Sequence, residues 1–260
     1  MRLLPRRLRP GEEVTLVEHL GELRGRLVVA MLAVLFCFIF TYIFRGHLLD
    51  WLNRPLPHHL RKPVTFGVAE PFVTSFMVAF FASCLLSFPI ILWQIWSFFA
   101  PAFEEHTQRI VAGFTAFASF LLGCGLAFGY FVALPAAVHF LTSYDKAHYQ
   151  IQIRARDYYS FTSTVLIAVA VVFELPIFIL GLVRLGILPT RKLRKNRRLG
   201  YVLVTALAVA LPGVDPVTTT FEMIPLMLLF EGSIWMSVFF ERRWKRAAAL
   251  REAAFEAGDF

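Results

Sequence analysis

Few residues in this 260-residue chain are placed to do chemistry, and most of them are glutamates. Glu174 sits in the middle of an otherwise apolar run and is followed two residues later by Pro176. A carboxylate at mid-membrane depth costs roughly 2.5 to 3.5 kcal/mol, so such a group is expected to face a cavity or a polar partner. Glu22 stands four residues before Arg26 on a stretch of helical pattern, a spacing that also suits a local ion pair of only a few tenths of a kcal/mol. His139, near the end of an apolar run, has the position of an interface residue. No glycine-rich phosphate loop, HExxH or GxSxG elbow is present, and no nucleophile has a base at a recognisable spacing, so no catalytic residue and no cofactor are expected. Cys37, Cys84 and Cys124 each lie inside an apolar run without CxxC or Cys/His clustering, which makes them packing residues and leaves no metal site. Gly125 and Gly129 form a GxxxG, the spacing that lets two helices approach closely.

The elements that must carry these residues are set by lipid. A chain that is 58% hydrophobic and 17% charged, with a mean hydropathy of +0.64, exposes too much apolar surface for a water-soluble domain. Its 28 Phe and 5 Trp then need no cofactor to explain them, being lipid-facing or packed between helices. The net charge of +8 is topological in a membrane protein, and nucleic acid is discounted. Apolar segments run over about 27–44, 72–99, 110–140, 158–185, 200–211 and 221–240. Each must bond its backbone internally, which predicts an all-α polytopic protein with six transmembrane helices, and the first run is long enough to stay in the membrane rather than serve as a cleaved signal. The fifth segment is short for a hydrocarbon core of about 30 Å. It must thin the bilayer, borrow from its flanks or pack inside the protein. Pro89, Pro135, Pro176 and Pro225 interrupt four spans, which suggests a kinked, concave bundle. Ahead of the first span, Thr15 and Glu18 form a capping-box pattern, and Leu16, Leu20, Leu23 and Leu27 recur at helical spacing opposite Glu18, Glu22 and Arg26. That pattern predicts an N-terminal amphipathic helix at the membrane surface. The expected organisation is an N-terminal segment over 1–26, a six-helix domain over 27–240 and a basic tail over 241–260. Counted along the chain, 19 of the 26 Lys and Arg fall on the side of the two termini, so both termini are expected to be cytoplasmic.

Several of these residues together resemble one family. His19-Leu20-Gly21-Glu22-Leu23-Arg24-Gly25-Arg26 is similar to the HLxELRxR signature that opens TatC proteins. Pro55, Glu70-Pro71-Phe72, Pro89 with the run from Trp93 to Pro101, Phe173-Glu174-Leu175-Pro176, the basic loop 192–201, Asp215 and Phe230-Glu231 follow in order. The resemblance covers about 14–240, short fifth span included. It implies a cup-shaped six-helix receptor of the bacterial-type inner membrane that binds the Arg-Arg motif of signal peptides. It further implies self-association, TatA-type and TatB-type single-span partners, and export of folded proteins with the protonmotive force. On this resemblance Glu22, with Arg24, Pro55 and Phe98, belongs to the signal-peptide site, and guanidinium pairs bidentately with carboxylate where lysine cannot. The family's second loop glutamate is replaced here by Thr107, with Glu104 and Glu105 nearby as substitutes. Its Ser-Gln pair, in a region that contacts partner helices, becomes Thr218-Thr219, and Glu231 joins this partner-binding set. The rival expectation is a proton-coupled small-molecule transporter with Glu174 as relay.

Overall fold

A computed structural model describes residues 16–99, 107–144, 148–149, 151–210 and 216–256, almost all of them helical. Helix α1 spans Leu16–Ile43 and is followed by the short α2, Arg45–Leu52. Helix α3 spans Glu70–Phe99. The third span is composite: α4, Thr107–Phe128, passes through a π turn at Gly129–Ala133 into α5, Leu134–Ser143. The fourth is broken at Glu174 into α6, Ala155–Phe173, and α7, Leu175–Arg184. Then come α8, Thr190–Lys195, α9, Arg197–Ala210, and α10, Pro216–Glu256. Among the described residues five helical stretches are long and apolar enough to cross a membrane, and α9 is the short sixth.

Prolines act in two ways. Pro176 and Pro135 lack the backbone donor that would continue the helix, and each sits just beyond a real irregularity, the break at Glu174 and the π turn. Pro89 and Pro225 are absorbed within α3 and α10 without interrupting them.

The expected N-terminal amphipathic helix forms, but it runs without a break into the first span. Its polarity is inverted relative to a soluble protein: Leu20, Leu23 and Leu27 are exposed while Glu22 is buried. Lipid is a good solvent for the leucines, so the protein side of the helix is free to hold the charged pair. At the other end α10 continues through Glu256, so the basic tail is helical over its described part. Its Ala, Leu, Glu and Arg are good helix formers, and Glu241 supports the last turns by pairing with Lys245 at 2.7 Å.

Helices α1 and α3 pack antiparallel, with Thr41 Oγ1 donating to Ala79 O at 2.8 Å. The interior is divided into patches. One joins α2, α3, the π turn, α5 and α6; a second joins α3, α4 and α7; a third joins α6, α7, α9 and α10. Helix α9 lengthens itself by taking Arg197–Leu199 from its flank and lays Gly200 against the Phe230 ring, while Val202 and Leu203 face outward. The GxxxG is a contact inside the bundle: a Cβ on Gly125 would come within 2.8 Å of Phe173 and 3.0 Å of the Ala170 backbone.

Candidate functional site

Glu22 is a buried acid near the start of α1, 6% exposed. Its Oε1 accepts Arg26 Nε at 3.1 Å and the Arg26 Nη2 group as well, while Oε2 is buried without a hydrogen-bond partner among the described residues. The local pair expected from spacing therefore exists and leaves half of the carboxylate uncommitted. Glu22 lies nineteen residues before Thr41, and Phe98 lies nineteen after Ala79; equal rise along two antiparallel helices puts them at one level. Phe98 is half-buried there, at the end of α3, and Arg24 is exposed beside Glu22. Glu104 and Glu105 lie outside the described residues, and Thr107 opens α4. Pro55 does not join this group. It follows α2, beyond the far end of α1, about 30 Å from Glu22 by helix rise.

The opposite end of the bundle is a stapled platform. Glu70, at the first turn of α3, accepts Arg154 Nε at 2.9 Å and Nη2 at 3.2 Å, together with the backbone N–H groups of Phe66, Gly67 and Arg156. Beside it Val64 N–H donates to Ile153 O and Ala155 N–H donates to Val64 O, so the loops before α3 and before α6 pair in parallel. Three tyrosines then close the carbonyl end of α2: Tyr130 donates to Trp51 O, Tyr158 to Leu52 O and Tyr159 to Asn53 Oδ1. The Tyr130 ring also stacks on Trp51, centroids 3.7 Å apart. These contacts leave no local sign in the sequence, because partners 79 to 106 residues apart share no pattern.

Glu174 is fully buried at the break between α6 and α7, and neither carboxylate oxygen has a hydrogen-bond partner among the described residues. Two grooves flank the middle of the bundle. An apolar one of about 400 Å³ runs between α2, α3, α4 and α6, past Pro89, Leu122 and Leu166. Another, about 490 Å³, lies between α4, the fourth span and α10, and is lined by Phe173 and Pro176 on either side of Glu174 and by Pro225. Glu222 is a buried acid of α10 at 2% exposure that sequence reasoning passed over, although an acid inside an apolar run was the signal that singled out Glu174.

Of the partner-binding candidates, Thr219 is half-buried in the first turns of α10, and the Thr218 side chain lies outside what is described. Glu231 is engaged within the chain, accepting the Tyr201 hydroxyl and pairing with Arg197 at 3.5 Å, so it ties α9 to α10.

Comparison with known proteins places these features. The family described as Sec-independent protein translocase protein (TatC) matches residues 18–225. Sec-independent protein translocase protein TatC of Magnetococcus marinus is 32% identical over 249 residues, covering 95% of this chain and 90% of that protein. The protein of the same name from Escherichia coli is 36% identical over 230 residues, covering 86% and 88%. A crystal structure of the twin arginine translocase receptor TatC superposes with a TM-score of 0.73 at 26% identity, covering 85% of this chain and 98% of that one.

Proposed function

The chain belongs to the TatC family of Sec-independent protein translocase proteins, and from that premise we propose that it is the signal-peptide receptor and core component of a twin-arginine translocase. It is a multi-pass membrane protein and a transport component rather than an enzyme. The observation that carries the receptor reading is Glu22: a buried carboxylate with one oxygen uncommitted, level with Phe98 near the end of α3. A peptide guanidinium offers a flat fork of donors, one of which can take Oε2 of Glu22 while another is left for a second acid, whereas an ammonium is a single point charge, so a site built on Glu22 selects Arg-Arg over Lys-Lys. Glu104 supplies the second acid, with Glu105 in a lesser role and Arg24 at the rim. Pro55 acts from the opposite end, as part of the platform on which the rest is held.

In this reading the protein resides in the bacterial-type cytoplasmic membrane with both termini cytoplasmic, self-associates in the complex and works with other Tat subunits. TatA-type and TatB-type single-span helices dock near Thr218 and Thr219, with Glu231 holding α9 and α10 together beneath them. Export of folded cargo draws on the protonmotive force. Family membership displaces the small-molecule transporter, and Glu174 becomes a group of the export step. The test is the affinity of purified protein for an Arg-Arg and a Lys-Lys signal peptide, with and without Glu22→Gln. A clear preference for Arg-Arg that disappears in the variant is expected; equal binding of both peptides by the unaltered protein would overturn the proposal.

A further inference from the structure

Away from Glu22, a cleft of about 620 Å³ opens between the α8–α9 corner and the last part of α10. Arg194 and Arg197 form one wall, and Arg242, Arg243 and Arg246 form the other. No acid lines it. Among the described residues Arg197 has Glu231 as its ion-pair partner, while the other four have none. Below the arginines the cleft floor is apolar, and its Trp235 and Phe239 are 68% and 62% exposed. Residues 235, 239, 242 and 246 fall on one face of a helix, so two outward aromatic rings lead directly to two arginines along α10.

Positive charges gathered from two elements repel one another, and among the described residues only Arg197, through Glu231, has a compensating acid. A topological excess of Lys and Arg does not require convergence on a concave site, nor an exposed aromatic floor. The ligand that satisfies both parts carries an anionic head and an apolar tail on one molecule. The geometry points to a binding site for an anionic phospholipid, its phosphate held by Arg194, Arg242 and Arg246 and its acyl chains lying along Trp235 and Phe239. The guanidinium fork suits phosphate oxygens, and exposed aromatic rings next to it suit the acyl chains. A neighbouring cleft of about 540 Å³ shares Arg194 and Arg242 and adds Arg191, Lys195 and Lys245. Its one acid, Glu241, is already held by Thr190 and Lys245. Lipid bound here would clamp α8 and α9 to α10, the corner in which Glu231 also acts.

The full chain, purified in detergent and stripped of lipid, is titrated with phosphatidylglycerol and separately with phosphatidylcholine, and bound lipid is counted by native mass spectrometry. Phosphatidylglycerol is expected to bind about tenfold or more tightly than phosphatidylcholine. With about fivefold expected per arginine, Arg242→Gln with Arg246→Gln should weaken it roughly thirtyfold. Lys192→Gln with Arg198→Gln removes the same charge from the same basic corner outside the cleft, and should weaken it by less than about threefold. Arg242→Lys with Arg246→Lys keeps the charge and serves as a folded control, with an intermediate loss. Equal losses in the two glutamine pairs would reduce the site to diffuse surface attraction and overturn the inference. Displacement of the lipid by millimolar inorganic phosphate would also overturn it, since the cleft would then hold a free anion. So would displacement by an acidic peptide with phosphatidylglycerol no better than phosphatidylcholine.

Discussion

Glu174 poses the sharpest question at the scale of single residues, because physics sets stability against function there. A buried carboxyl with no partner costs about 1 to 3 kcal/mol, and Glu174 has none for either oxygen among the described residues. Glu174→Met, of similar volume and apolar, should therefore insert normally and raise the thermal midpoint in detergent while export of an Arg-Arg cargo falls. Glu174→Gln should fall between. Full export by both variants would leave the group structural. Glu22 is a different case, since Arg26 already occupies Oε1 and, on the proposed reading, a peptide guanidinium has Oε2 left to use. Charge-assisted hydrogen bonds contribute roughly 1.5 to 3 kcal/mol, so Glu22→Gln or Glu104→Gln should weaken peptide binding about tenfold to a hundredfold, less where solvent screens the site. Thr107→Glu should keep or strengthen binding, and Glu105→Gln should matter less. Unchanged affinity for both Glu22→Gln and Glu104→Gln would remove the paired-carboxylate site. Glu174 stands out in the sequence because it breaks an apolar run and Glu22 only through the family resemblance, whereas Glu222, also an acid in an apolar run, carries no such mark beyond its position.

At the scale of elements, lipid made the helices legible, since no other structure satisfies a backbone across a span. Their irregularities were only half legible: proline marks where a donor is missing, but neighbouring packing decides whether the helix breaks, as before Pro176, or continues, as through Pro89. The α4–α6 contact can be tested within a single helix. A Cβ on Gly125 meets Phe173 and the Ala170 backbone, whereas one on Gly123 meets nothing within 4 Å. Gly125→Ala should cost about 1 to 3 kcal/mol by forcing the two helices apart, while Gly123→Ala should be neutral or slightly stabilising. Thermal unfolding in detergent separates them, and equal midpoints would mean that the helices are not in close contact. The platform was illegible because its bonds join residues far apart in sequence. Glu70 gathers five donors from two chain segments, so Glu70→Ala should lower the unfolding midpoint more than Arg154→Ala, which leaves the Phe66 and Gly67 N–H groups with their acceptor. The reverse order would show that the ion pair alone holds the loops.

For the whole molecule, three contacts decide which ends of the helices share a side. The ring contacts of Phe38 with Phe80 and of Tyr42 with Phe76, on either side of the Thr41–Ala79 bond, run in opposite order along α1 and α3, so the helices are antiparallel and the start of α1 and the end of α3 lie together. Pairing of Val64 with Ile153 and Ala155 puts the loops before α3 and α6 on one side, so α3 and the fourth span run the same way. The bond from Thr190, just past the fourth span, to Glu241 then brings the last part of α10 to the end where α1 starts. An odd number of crossings could not close this circuit, which makes the short α9 a true crossing despite a length of about 21 Å. These contacts lack the identity of the side, and the proposed topology, resting on the charge asymmetry in the sequence, puts the cytoplasm at the end with the basic corner. In a background with Cys37, Cys84 and Cys124 replaced, His59→Cys should react with a membrane-impermeant maleimide applied from outside, being exposed next to the platform. Arg191→Cys and Leu250→Cys, both exposed at the other end, should react only after permeabilisation. Labelling of all three from outside would break the even-span fold, and labelling of Arg191→Cys and Leu250→Cys alone would invert it and move Glu22 to the wrong side to meet a peptide arriving from the cytoplasm.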